Sequence, residues 1–107
     1  MQDLSAAELA AWLADPSRVR PVLLDVREPW EFQTCRIEES RNVPMREVPA
    51  SLGELDGAGE IVVICHHGAR SLRVALFLKS RGHGRVYNLA GGVDAWARNV
   101  DPAMPVY

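Results

Sequence analysis

One segment carries the residue types of reactive chemistry: Cys65-His66-His67-Gly68-Ala69-Arg70-Ser71. A thiol attacks as its thiolate, and a free cysteine ionises only near pH ~8.5. Two features of the segment favour the thiolate. Arg70 brings a charge that does not titrate away. A helix starting just beyond the cysteine presents unpaired N–H groups and roughly half a positive charge. If the chain curls around Cys65, those amides converge on the sulfur as an anion-binding nest. Gly68 suits such a curl because it tolerates a positive φ. The same nest would hold an anion against the sulfur, and His66 and His67 would add positive charge near and below about pH 6.5. The competing reading is an inert buried cysteine that closes a strand. Polar, flexible and cationic neighbours argue for the reactive one.

The flanking residues say how this segment is held. Ile61-Val62-Val63-Ile64 is a run of β-branched residues without alternation, the pattern of a strand covered on both faces. A helix is predicted from Ser71 to Arg81, with Leu72, Ala75, Leu76 and Lys79 on one face, Val74 and Leu78 widening it, and Gly82 after its end. Earlier, Ser5-Ala6-Ala7-Glu8 reads as a capping box, with Leu4 and Leu9 as its hydrophobic staple. Leu9, Trp12 and Leu13 share a helical face that ends at Asp15-Pro16. Val22 to Val26 reads as a strand, Pro29 to Phe32 as a helical turn, Arg41 to Pro44 as extended, and Pro49 to Leu55 as short helix. Arg85 to Leu89 reads as a further strand, and Gly91-Gly92 turns the chain into a last helix carrying Val93, Ala95 and Trp96. The tail Asp101 to Tyr107 is read as extended. This alternation predicts an α/β fold, a parallel sheet with helices on both faces. Sites in such sheets lie beyond the carboxyl ends of the strands, where Cys65 stands. Asp25, Arg27 and Glu28 are read as a hydrogen-bond and ion-pair set at a strand end, bracing the active loop. Trp12, Trp30, Phe32 and Trp96 are read as core aromatics.

Composition limits the alternatives. The 107 residues suffice for one domain, 1–107, and 48% hydrophobic with 24% charged residues is an ordinary globular balance. A formal charge of −2 argues against a nucleic-acid partner, which needs clustered positive charge. No apolar run approaches the roughly 18 residues of a membrane span, so no membrane partner is expected. The N-terminal residues lack the pattern of a signal peptide, and a cytoplasmic location is the expectation. Cys35 and Cys65 are too few for a disulfide framework. Cys35 is read as an unreactive loop cysteine, because pairing with Cys65 needs Cα atoms within about 7 Å. Zinc-type spacings are absent, so no metal is expected. Gly68-Ala69-Arg70-Ser71 lacks the lysine of a phosphate loop, Gly82-His83-Gly84 lacks the rest of a dinucleotide motif, and no cofactor is expected.

Four motifs stand in order: Asp25-Val26-Arg27-Glu28-Pro29-Trp30-Glu31-Phe32, Asn42-Val43-Pro44-Met45, the Cys65 loop, and Asn88-Leu89-Ala90-Gly91-Gly92-Val93-Asp94-Ala95-Trp96. Through them nearly the whole chain resembles the rhodanese family of sulfurtransferases in its single-domain form. The resemblance implies a small rhodanese-like α/β domain with a five-stranded, mostly parallel sheet. It also implies a two-step reaction. Cys65 takes the outer sulfur of a donor such as thiosulfate, and the resulting persulfide passes it to a thiophilic acceptor: cyanide, a thiol or a protein. Cys65 is then the catalytic residue, and His66, His67, Gly68, Ala69, Arg70 and Ser71 form the substrate-binding loop. Main-chain N–H groups of residues 66 to 70 would stabilise the persulfide, with Arg70 binding the donor's sulfonate or fixing the loop. Two other readings stand beside it: a carrier module that exchanges sulfur with another protein, and a phosphatase or arsenate reductase. Related dual-specificity phosphatases place five residues between Cys and Arg, whereas this chain places four, and the smaller ring suits a single sulfane sulfur. Cys35-Arg36-Ile37-Glu38-Glu39-Ser40 departs from the family, where Gly-His-Ile-Pro-Gly-Ala is often found.

Overall fold

The computed structural model describes residues 2–55 and 57–107. In chain order the elements are β1 (Gln2–Leu4), α1 (Ala6–Ala14), β2 (Val22–Asp25), α2 (Pro29–Thr34), β3 (Arg41–Asn42), two 3₁₀ turns (Met45–Glu47 and Pro49–Ser51), α3 (Leu52–Leu55), β4 (Ile61–Ile64), α4 (Ala69–Ser80), β5 (Val86–Leu89) and α5 (Gly92–Asn99). The strands form one sheet in the order β1-β5-β4-β2-β3. Each pairing is parallel, with Asp25 opposite Ile64 and Val63 opposite Asn88. The sheet is therefore wholly parallel rather than mostly so. β1, too short to show a strand pattern in the sequence, is its added edge beside β5.

β4 lies in the middle of the sheet, and its four residues are buried, as an unalternating β-branched run requires. Alternate side chains serve two cores. Val62 and Ile64 pack with Leu9, Trp12, Leu89, Val93 and Trp96. Ile61, Val63 and Cys65 pack with Leu24, Val74, Ala75, Leu78 and Val86. Helices α1 and α5 thus cover one face and α4 the other. The capping box at α1 is present: the Glu8 N–H donates to Ser5 Oγ at 3.0 Å, and the Ser5 N–H donates to Glu8 Oε1 at 2.8 Å.

Two sequence expectations change. The buried face of α4 is Ser71, Val74, Ala75 and Leu78, while Leu76 is 51% exposed and Leu72 lies at the surface. The reason is at the helix start. Ser71 must face the cysteine sulfur, and the positions three, four and seven residues on follow it inward. Trp30 is not a core aromatic: it is 61% exposed and meets the Tyr107 ring edge-on, the centroids 5.8 Å apart. The departing segment has its own backbone signature. Glu39 adopts φ 69°, at the position where the resembling family often has glycine. Among the described residues, no helix is long and apolar enough to cross a membrane.

At the end of β5, Gly91 and Gly92 both take positive φ, and Gly92 lies against the Cys65 loop. A Cβ on Gly92 would collide with the carbonyl oxygens of Cys65 and His66. Gly92→Ala is expected to cost about 2 kcal/mol or more, through backbone strain and displacement of the loop. Urea unfolding of the two proteins measures it, and an unchanged midpoint would show that the loop yields freely.

Candidate active site

β4 ends at Ile64, and the next residue begins a loop that curls into α4. Gly68 makes that curl possible: it caps α4 with φ 109°, and a Cβ there would press on the Gly91 nitrogen at 3.2 Å. The loop is tied to α5 by main-chain bonds. The Val93 N–H donates to the Cys65 carbonyl at 2.9 Å, and the Asp94 N–H donates to the His66 carbonyl at 3.1 Å. Cys65 lies within this cradle at 1% exposure.

The amides that reach the sulfur are those of Gly68, at 3.1 Å, and Ser71, at 3.3 Å. The expectation of donors along residues 66 to 70 thus narrows to one residue of that span plus its neighbour. The thiol itself donates to Ser71 Oγ at 3.2 Å, and the Ser71 hydroxyl donates to Asn88 Oδ1. Asn88 is oriented in turn by Asp3, whose Oδ1 accepts from Nδ2 at 3.1 Å. Asp3 and Asn88 were not among the candidate site residues. Their link depends on β1 lying beside β5, with Asp3 in register with Asn88.

Arg70 does not stand free beside the sulfur. Its guanidinium grips Glu31 with both arms, Nη1 to Oε1 at 2.7 Å and Nη2 to Oε2 at 2.9 Å. The Arg70 hydrogen bond holds the Glu31 carboxyl down to about 2, against its burial. Tyr107 completes this group: its hydroxyl donates to Glu31 Oε2 at 2.8 Å and accepts from Arg27 Nη1 at 2.9 Å. Burial is the main reason that the Tyr107 hydroxyl is pushed up to about 12. Arg27 and Asp25 are fully buried and paired at 2.7 Å. Arg27 also donates to the Cys35 carbonyl at 2.6 Å and the Glu31 carbonyl at 3.2 Å. Asp25 and Arg27 therefore hold α2, which presents Glu31 to the loop. The Glu28 side chain pairs instead with Arg46 at 2.6 Å, and Glu28 joins this set only through its N–H, which donates to Glu31 Oε1 at 3.0 Å. Cys35 is buried and lies in the Arg27 cradle, and both cysteines are free thiols.

The histidines lie on the outer side of the loop. His66 is sandwiched between Tyr107, with centroids 4.0 Å apart, and His67, at 3.9 Å. Burial first, and the neighbouring His67 second, hold His66 below the ordinary imidazole range. His66 is thus a poorer cation than its sequence position suggested. His66, His67 and Asp94 each place one donor atom so that all three lie within 4.8 Å of one another. Spacing along the chain conceals that grouping, because Asp94 arrives from α5.

The sequence pattern of the rhodanese-like domain matches residues 5–99. A sulfurtransferase of Allochromatium vinosum is 34% identical over 104 residues, covering 97% of this chain and 95% of that protein. The thiosulfate sulfurtransferase GlpE of Stutzerimonas stutzeri is 32% identical over 75 residues, covering 70% of this chain and 69% of that protein. The crystal structure of a rhodanese-like domain protein from Staphylococcus aureus superimposes with a TM-score of 0.84 at 24% identity, covering 100% of this chain and 99% of that one. The last likeness shows the fold.

The Glu31 carboxyl has a defined pH signature. Its acidity is raised by folding, so its contribution is complete above about pH 4.5 and is lost as pH falls toward about 2. Wild type is expected to lose more stability across that window than Glu31→Gln, whose side chain does not titrate. Urea midpoints at successive pH values measure the difference, and parallel pH profiles would show that the Arg70 pair stabilises nothing.

Proposed function

Because the chain belongs to the rhodanese-like domain family, we propose that it transfers sulfane sulfur through a persulfide on Cys65. The observation that carries this reading is the buried Cys65 sulfur, met by the Gly68 and Ser71 amides inside a short loop at the start of α4. Main-chain donors aimed at one atom stabilise negative charge there with little reorganisation. The four residues between Cys65 and Arg70 close a ring that suits one sulfur atom.

The proposed donor is thiosulfate or a related sulfane, and the acceptor is cyanide, a small thiol or a thiol on a protein. The Cys65 thiolate attacks the donor's outer sulfur. One S–S bond forms, the donor's own S–S bond breaks, and sulfite leaves with its electron pair. The outer sulfur now carries the negative charge as a cysteine persulfide. An acceptor nucleophile then takes that sulfur, and the Cys65 thiolate is restored. Sulfite is already a good leaving group, so the scheme requires no general acid. Nucleophilic catalysis of this kind replaces one hard transfer by two easier ones. Of the two roles open to Arg70, fixing the loop through Glu31 is the better supported, since Glu31 already occupies both guanidinium arms.

Mixing the protein with thiosulfate should add one sulfur atom to Cys65, seen by intact mass and lost in Cys65→Ala. An adduct that survives Cys65→Ala, or none on wild type, would refute the reading. Arg70→Ala should lower kcat/KM on the order of a hundredfold, because a loop misplaced by about an ångström loses its aim at the substrate. Near-normal steady-state kinetics would remove Arg70 from the mechanism.

A further inference from the structure

We propose that His66, His67 and Asp94 form a binding site for a zinc ion, three protein ligands with a fourth position left open. The donor atoms lie within 4.8 Å of one another, and His67 Nε2 is 3.9 Å from Asp94 Oδ2. That gap is too long for a hydrogen bond. Ligands of a tetrahedral zinc ion, each about 2.0–2.1 Å from the metal, stand roughly 3.4 Å apart. The closure needed is little more than an ångström, and the His67 side chain, 65% exposed, is free to make it.

The grouping is also preorganised. The hydrogen bonds from Val93 and Asp94 to the carbonyls of Cys65 and His66 fix the first turn of α5 against the loop. The backbones of His66 and Asp94 are therefore set before a metal arrives. His66 adds an independent sign. Its Nε2 is buried and has no hydrogen-bond partner among the described residues. A buried ring nitrogen left unpaired is costly. Arg98 bonds the same oxygen, Asp94 Oδ2, at 3.0 Å, an exposed pair of small worth that a zinc ion would displace.

The donor chemistry excludes the hard cations and admits a transition ion such as zinc. Calcium and magnesium favour oxygen ligands, whereas two imidazoles and one carboxylate suit zinc. Three protein ligands and an open position define an accessible site rather than a closed structural one. The inference concerns binding and does not rest on sulfur transfer.

The test is calorimetric titration of zinc chloride into the full chain near neutral pH, in a Cys65→Ser background that removes the competing thiol. One zinc per chain is expected. Adding His67→Gln or Asp94→Asn should weaken binding at least about tenfold, with circular dichroism confirming that each variant is folded. No saturable binding in Cys65→Ser would overturn the site. So would an affinity that Asp94→Asn leaves unchanged.

Discussion

The bidentate pair between Arg70 and Glu31 is the constraint on which the sulfur loop depends. Glu31 has 6% side-chain exposure, and an ionised carboxylate at that depth requires a matched cation. Arg70 supplies it, and in doing so fixes the first turn of α4 to α2. Removing either partner of such a pair leaves the other charge uncompensated, which costs far more than the pair itself contributes. The consequence for chemistry is that the permanent cation of the loop is already neutralised. Attraction of negative charge to Cys65 falls to the Gly68 and Ser71 amides and the start of α4. These are fixed dipoles that need no counterion, and they suit a small, polarisable anion held in one place.

Behind that pair stands a second layer. Asp25 is the last residue of β2, in register with Ile64 at the end of β4, and Arg27 lies two residues beyond it. Arg27 gathers the Cys35 carbonyl, the Glu31 carbonyl and the Tyr107 hydroxyl around one buried guanidinium. Its planar fork can satisfy several acceptors at once, which a lysine ammonium could not do in the same geometry. The parallel sheet thus does more than place Cys65 beyond a strand end. It brings two strand ends side by side, so that one carries the nucleophile and the other carries the brace.

What was legible in the sequence was local. The run Ile61 to Ile64, the capping box at Ser5 and Glu8, the Cys65-to-Arg70 spacing and the Gly91-Gly92 turn each express their physics within a few residues. The residues that were missed act across the fold. Glu31 meets Arg70 from 39 positions away, and Tyr107 meets Glu31 from 76. No periodicity encodes such distances. Glu31 did lie inside a quoted motif, as did Asn88 and Asp94, but a motif names positions without naming partners. The face of α4 was misjudged for a related reason. Hydrophobicity alone weighs Leu72 and Leu76 above Ser71, while the structure turns Ser71 inward because the sulfur needs its amide and hydroxyl.

The aromatic column beside the loop changes the part that the histidines can play. Trp30, Tyr107, His66 and His67 follow one another from α2 through the tail to the loop. A ring enclosed on both faces exchanges water for π surface, which disfavours its charged form. Near neutral pH, His66 therefore offers a lone pair rather than a positive charge. Two histidines after a nucleophilic cysteine look like an aid to anion binding when read as a string. Folded, with Asp94 brought alongside by α5, they form a set of electron-pair donors. The identity of the side chains is unchanged between the two readings; for His66, burial and its stacked neighbours reverse the chemistry it favours.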